Sequence, residues 1–182
     1  MNNQFKEVFT KIYRDKEWGI SQNYNTSGTG DLLSNLPFLL FLEMFLTKTK
    51  VNSLLDFGCG DWSILKHMSF PPNFNYVGVD IVDSIIESNN QRYSIDKSIK
   101  FYTIDNDYSQ LLEDDKFTAE VLLVKNIFEN WPLDNIGLFI KKIIPRFQHV
   151  IFATFYNPQG KNLDVPMGWY HTLNILDFEL PR

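Results

Sequence analysis

The stretch DFGCGDW, residues 56 to 62, sets two aspartates and two glycines at the exit of the apolar run VNSLL. A second apolar run, YVGVD, closes on Asp80, twenty residues after Gly60. Glycine reaches backbone angles closed to other residues, so Gly58 and Gly60 let the chain turn tightly and approach a ligand closely. An acid ending the second strand can accept hydrogen bonds from both hydroxyls of a nucleotide ribose. Bonds of that charge-assisted kind contribute roughly 1.5–3 kcal/mol each. The spacing therefore points to a ribose-bearing ligand above the glycine turn.

The neighbours of the turn narrow the ligand. A triphosphate loop ends in Gly-Lys-Ser/Thr, whereas Gly60 is followed by Asp61 and Trp62. A dinucleotide fingerprint has a third glycine three residues on, where this chain has Ser63. Asp56 and Asp61 flank the turn, and two carboxylates are poor neighbours for a pyrophosphate. They suit a cation, such as the sulfonium or α-ammonium of S-adenosylmethionine. The same features disfavour a nicotinamide oxidoreductase.

Other reactive side chains are sparse. Cys59 is the one cysteine, which excludes an intrachain disulfide, and in the turn it reads as a small packing residue. His67 and His149 abut apolar stretches and read as structural or surface residues, while His171 lies in a tail that could pass near the site. Lys125 ends a strand and could touch cofactor or substrate. Trp62 could cover the ligand or cap the core, and Trp131, before Pro132, reads as packing for the turn into the next helix. Phe128 and Tyr156 could wall a sulfonium, or simply pack. No group of His, Cys or acids has metal-ligand spacing, so no metal is expected. No catalytic residue can be named from the sequence.

The elements that must position these residues form an alternating series. Phe5, Val8, Phe9, Ile12 and Tyr13 recur at helical spacing, and NYNTSGTGD reads as a loop. Asp31 suits the N-cap of a helix over about residues 32–48, apolar nearly all round and expected to be buried. Strands then alternate with helices: VNSLLDF with DWSILKHM, YVGVD with DSIIESNNQRY, IKFYTID with an irregular acidic stretch, AEVLLVKN with LDNIGLFIKKIIPRF, and lastly HVIFATFY. Continuous apolar strands between helices predict an α/β fold, a doubly wound and mostly parallel sheet covered on both faces. The division is one domain: residues 1–48 as N-terminal helices and a loop, 50–156 as the ligand-binding core, and 157–182 as a tail.

Composition sets the outer bounds. The chain has 182 residues, 44% hydrophobic, with a formal net charge of −5. That is enough chain for a single substantial core. Lys and Arg are scattered, and the Lys141, Lys142, Arg146 cluster falls on the polar side of a helix pattern, so no nucleic-acid partner is expected. The N-terminus carries charges where a signal peptide needs an apolar core, and LPFLLFLEMFL contains Pro37 and Glu43 and is short for a bilayer span. The expectation is a soluble cytoplasmic protein without a membrane partner.

At these motifs the sequence resembles the class I S-adenosylmethionine-dependent methyltransferases, over about residues 50–155. LLDFGCGDW resembles their first motif and YVGVDI the second, implying Asp56, Gly58 and Gly60 at the cofactor, Asp80 on its ribose and Ile81 on one adenine face. YTIDND resembles the third motif, implying Asp105 and Asn106 at the adenine. VLLVKNIFENWP resembles the fourth, under the methyl group. More narrowly, EWG at residues 17–19, SGTG at 27–30 and the tail GWYHTLNI resemble an uncharacterised bacterial branch of that family. This implies a lid over the cofactor's amino-acid end that carries Trp18, Ser27, Gly28 and Gly30.

The resemblance implies a Rossmann-like fold, S-adenosyl-L-methionine as cofactor, and methyl transfer to an oxygen or nitrogen acceptor in a small molecule, glycan or protein. The chain departs from the family's pattern in three places. Trp62 stands where the first motif usually has its third glycine. Asn126 and Asn130 stand where relatives carry an acid and a histidine, and neither amide is a general base; a cofactor-binding but inactive subunit is therefore the alternative. The family's closing strands are also reduced, which would leave the edge of the fifth strand for the tail, a second copy or a partner protein to cover.

Overall fold

The computed structural model describes residues 4–21, 24–25, 31–105, 108–155 and 161–180. Helix α1 (Gln4–Arg14) precedes a two-residue hairpin, β1 (Ile20–Ser21) and β2 (Tyr24–Asn25), and helix α2 (Leu32–Thr49). Then follow β3 (Ser53–Phe57), β4 (Asn75–Asp80), α3 (Asp83–Tyr93), β5 (Ile99–Thr103), the short α4 (Gln110–Glu113), β6 (Val121–Lys125), α5 (Leu133–Lys142) and β7 (His149–Ala153). The five long strands form one wholly parallel sheet in the order β5-β4-β3-β6-β7. The order reverses between β3 and β6, so the crevice beyond their carboxyl ends is where such a fold binds ligands.

Alternation along the strands divides the core between the two faces. Leu55, Phe57, Val79, Leu122 and Val124 pack with Ile136, Phe139 and Ile140 of α5. Leu54, Tyr76, Phe101, Val121 and Leu123 pack with Leu39, Leu42 and Leu46 of α2. Strands buried on both faces carry no polar alternation, which is why they read as unbroken apolar runs.

Three local expectations change. The helix expected from DWSILKHM is a loop ending in a 3-10 turn, Leu65–His67. Trp62 sits at φ 56°, which an α-helix does not allow. The irregular acidic stretch contains α4 and a 3-10 turn, Asp115–Phe117. Helix α2 starts as expected, with the Asp31 carboxylate accepting from the Ser34 N–H at 3.0 Å, but it is not buried all round. Leu33, Leu40, Phe41 and Met44 are exposed, because only one stripe of the helix meets the sheet. At 18 residues with a mean hydropathy of 1.2, 22% buried, it has the length and composition of a membrane span, as a helix packed against a sheet can.

The tail supplies no further strand among the described residues. Leu173 N–H donates to the Phe155 carbonyl at 3.2 Å, just past the end of β7, and Met167, His171, Leu173 and Ile175 are buried on the α5 side of the sheet. Along His149–Ala153 the outer edge of β7 has no paired strand among the described residues.

Candidate active site

The glycine turn is held from three directions. Gly58 and Cys59 N–H groups both donate to the Val79 carbonyl, at 2.8 and 2.9 Å. The Asn89 amide of α3 donates to the Gly60 carbonyl at 2.7 Å, and Gly60 N–H donates to Asp80 at 3.1 Å. Gly58 has φ 73°, and a Cβ there would lie 2.2 Å from Ile127 Cδ1. What comes too close for a side chain is thus another part of the chain, the residue two beyond the end of β6.

Above this turn lies a cavity of about 350 Å³, walled by the exits of β3, β4, β5 and β6, by α1 and by the tail. Of the expected residues, Asp56, Gly58, Asp80, Ile81, Asp105, Lys125 and Trp18 all line it. Gly60 does not; its N–H donates to Asp80 and its carbonyl accepts from Asn89. Ser27, Gly28, Gly30 and Asn106 lie outside the described residues, as does Tyr156.

Among the described residues the wall carries five carboxylates, from Asp56, Asp61, Asp80, Asp105 and Glu129, against the single ammonium of Lys125. Burial pushes Asp80 up to about 6, against the pull of the Val82 and Gly60 N–H groups that bond its two oxygens. Burial pushes Asp56 further, to about 7, although the Tyr76 hydroxyl donates to it at 2.5 Å and Lys125 faces it. Burial lowers Lys125, and Asp56 and Glu129 oppose that shift. Asp105 is exposed and accepts from the Gln110 amide at 2.7 Å.

Several lining residues were not expected from the sequence. Helix α1 turns Phe5, Phe9 and Tyr13 into the cavity, and Trp18 packs on Phe9 and Tyr13 at 6.1 and 5.3 Å between ring centres. The helix is tied down by Lys6 to Asp83 at 2.7 Å and by Val8, whose Cγ1 would lie 2.6 Å from a Cβ on Gly168 of the tail. Its amphipathic pattern was legible; that its apolar face closes a ligand cavity was not.

Glu129 is the other addition. It is 1% exposed, in the 3-10 turn Phe128–Asn130 beyond β6. Its Oε1 accepts from the Phe155 N–H at 2.9 Å, while Oε2 is buried with no hydrogen-bond partner. His171 does not line the cavity. It clamps the turn from behind, its N–H donating to the Glu129 carbonyl at 2.9 Å and its Nε2 to the Phe128 carbonyl at 3.1 Å. Gly168 N–H adds a bond to the Asn130 carbonyl at 2.7 Å. Asn126, at φ 54°, uses its amide to bridge the Ala153 carbonyl at 3.1 Å and the Lys125 ammonium at 3.2 Å, in the orientation the hydrogen bonds require.

The remaining residues resolve as packing. Trp62 is buried against Tyr76, Tyr93 and Phe101, capping the α2 side of the core, with part of it at the cavity. The Cys59 thiol is pushed well up by burial and by the nearby aspartates, so it is no nucleophile. His67 is exposed, and His149 stands edge-on to Phe45 at 5.3 Å. Trp131 stacks on Tyr108 at 5.7 Å, and both rings border the cavity. No cluster of His, Cys, Asp and Glu fit to hold a metal occurs among the described residues.

No protein-family profile and no curated protein matches the sequence. Solved structures do match the fold. The methyltransferase domain of a bacterial Hen1 superposes over 65% of this chain and 65% of its own, with 21% identity and a TM-score of 0.54. Human N-acetylserotonin methyltransferase, solved with S-adenosylmethionine, matches over 82% of this chain and 41% of its own, with 16% identity and a TM-score of 0.51. A protein of Thermobifida fusca YX, provisionally assigned as a methyltransferase, matches over 82% and 67%, with 13% identity and a TM-score of 0.60. The chain thus spans less than two thirds of the first two proteins' lengths. It has the Rossmann-like fold of the class I S-adenosylmethionine-dependent methyltransferases.

Proposed function

We propose that the chain binds S-adenosylmethionine in this cavity and transfers its methyl group to an oxygen or nitrogen acceptor. The observation that carries the reading is the excess of buried carboxylate at the switch point of a methyltransferase-type sheet. Such a wall repels a pyrophosphate and attracts a sulfonium and an ammonium. The side chains present fit the cofactor. Asp80 would take the ribose hydroxyls, Ile81 and Ile104 the faces of the adenine, and Asp105 its amino group. Asp61, Tyr13 and Trp18 would stand at the amino-acid end, with Ser27, Gly28 and Gly30 assigned there by resemblance, and Asn106 at the adenine.

The bound cofactor supplies an already activated methyl group, so the protein has to align and to exclude water. The aromatic wall of Phe5, Phe9, Tyr108 and Trp131 excludes it, and Lys125 offsets part of the acidic field. Calorimetry tests the reading. We expect binding of S-adenosylhomocysteine and S-adenosylmethionine and none of NADH; binding of NADH alone would reverse the assignment. Asn126 and Asn130 favour a second reading, a cofactor-binding subunit without activity. Methylation of any component of a small-molecule, glycan and protein panel would rule that out.

For the open edge we propose a second copy of this chain. Two β7 edges brought together by a two-fold axis pair with each other, and an isologous contact closes after two subunits. The exposed Phe41 of α2 stacks on Phe45, which meets His149 of β7, so the same contact would cover the helix's apolar stripe. Light scattering behind gel filtration should give a dimer, and Leu40→Lys with Phe41→Lys a monomer. A monomeric wild type would sink the idea.

A further inference from the structure

Lys125 is the one cation that the described residues bring to the cavity wall, and none of their carboxylates comes within ion-pair distance of it. It ends β6, where Val121 and Leu123 face the α2 side of the sheet, and it continues that side. Its ammonium lies 5.6 Å from the ring centre of Phe38 on α2. The residue is half-buried, and its nitrogen, unlike Glu129 Oε2, is not one of the sealed polar atoms. Taking an ammonium partly out of water without a counter-ion is unfavourable unless a ligand supplies one.

Asn126 fixes where that charge stands. Its backbone and side-chain N–H groups both donate to the Ala153 carbonyl, at 2.8 and 3.1 Å, which turns the amide oxygen to the Lys125 ammonium at 3.2 Å. An amide oxygen accepts one ammonium hydrogen and leaves the positive charge uncancelled, whereas a carboxylate of the same shape would neutralise it. On the neighbouring strand Asp56 is paired in register with Leu123, so Lys125 lies two residues further along on the same face. An acid and an ammonium thus stand near each other at the cavity wall without forming an ion pair.

We infer that Lys125, held by Asn126, receives the α-carboxylate of the cofactor, and that this contact selects a zwitterionic amino-acid end over a plain amine. The inference rests on the S-adenosylmethionine reading and adds to it a specificity-determining residue, Lys125, and a positioning residue, Asn126. The cofactor's amino-acid end carries an ammonium and a carboxylate on one carbon. The acids of the wall attract the ammonium, but they attract that of a decarboxylated cofactor just as well. The carboxylate, in contrast, is repelled by the acids and has one ammonium among the described residues to meet. A charge-assisted bond there is what separates the two ligands.

The test uses the full chain and two ligands that differ by one carboxylate, S-adenosylhomocysteine and S-adenosyl-3-thiopropylamine. A third, 5′-methylthioadenosine, lacks the amino-acid end altogether. Calorimetry should show wild type binding S-adenosylhomocysteine at least about tenfold more tightly than the thiopropylamine. Lys125→Met keeps the apolar stem and removes the charge. It should shrink the preference below about threefold while 5′-methylthioadenosine binds as before, and Asn126→Asp should shrink it likewise. The proposal is overturned if wild type binds the two ligands alike, or if Lys125→Met keeps the preference while all binding weakens or none does. Should Lys125→Met fail to melt cooperatively, Asn126→Asp carries the decision. A wild type that does not bind S-adenosylhomocysteine overturns the cofactor reading and this one with it; equal binding of both ligands overturns this one alone.

Discussion

Asp80→Ala is expected to weaken S-adenosylhomocysteine binding by at least about tenfold, the equivalent of about 1.4 kcal/mol. The carboxylate is 7% exposed, and it accepts one backbone N–H on each oxygen, from Val82 at 3.0 Å and from Gly60 at 3.1 Å. Those bonds orient it toward the cavity and leave a lone pair on each oxygen for a hydroxyl donor. Two such bonds at roughly 1.5–3 kcal/mol each exceed the predicted loss. Removing the carboxylate also strands the two N–H groups. Calorimetry reads the effect, and a variant within about threefold of wild type would remove Asp80 from the ribose.

The same residue gives the binding a pH dependence. Asp80 is pushed up to about 6, and hydroxyl donors favour its ionised form. Wild-type affinity should therefore fall as pH drops below about 6, approaching tenfold per unit, while Asp80→Asn should show no such fall. Stability of the ligand-free protein runs the other way. An acid with a raised folded pKa costs nothing below its unfolded value of 3.8, and its cost grows as pH rises from there to about 6.

Gly58→Ala should destabilise the fold by about 2–5 kcal/mol. At φ 73° an L residue is strained by roughly 1–2 kcal/mol. The added Cβ would also meet Ile127 Cδ1 at 2.2 Å and Cγ1 at 2.8 Å, a clash of the kind that costs about 1–3 kcal/mol in a packed core. Urea unfolding measures the sum. Ile127→Ala removes both clashing atoms, so the double variant should lose less than the two single losses added together. Strict additivity would mean that the glycine is needed for its backbone angle alone.

Much of this molecule was legible from local pattern. The five strands could be seen because a strand buried on both faces has no polar alternation to hide it, and Asp31 could be seen because an N-cap is a contact across three residues. Asp56, Gly58 and Asp80 could be placed because the crossover from β3 to its parallel neighbour β4 brings positions about twenty residues apart to one sheet edge. What faces outward on α2 could not be read. Hydropathy reports what a helix can bury, not how much partner surface the fold provides, and here the sheet covers only the stripe through Leu39, Leu42 and Leu46.

Glu129 marks the limit of the sequence. In KNIFENW the one signal for it is local: an isolated acid among Ile127, Phe128 and Trp131, between the two asparagines. Which way it faces is set by Asn126 at φ 54°, by the N–H of Phe155 and by the tail residues Gly168 and His171, the last 42 positions along the chain. The sequence by itself determined the sheet, the glycine turn and the acid that closes the second strand, since each depends on contacts within a few residues or one crossover. Only the tertiary structure decided that Gly58 makes room for Ile127, that α1 walls the cavity, and that Glu129 keeps a buried carboxylate oxygen without a hydrogen-bond partner. Those outcomes depend on atoms brought together across the whole chain, and no local pattern encodes where such atoms will meet.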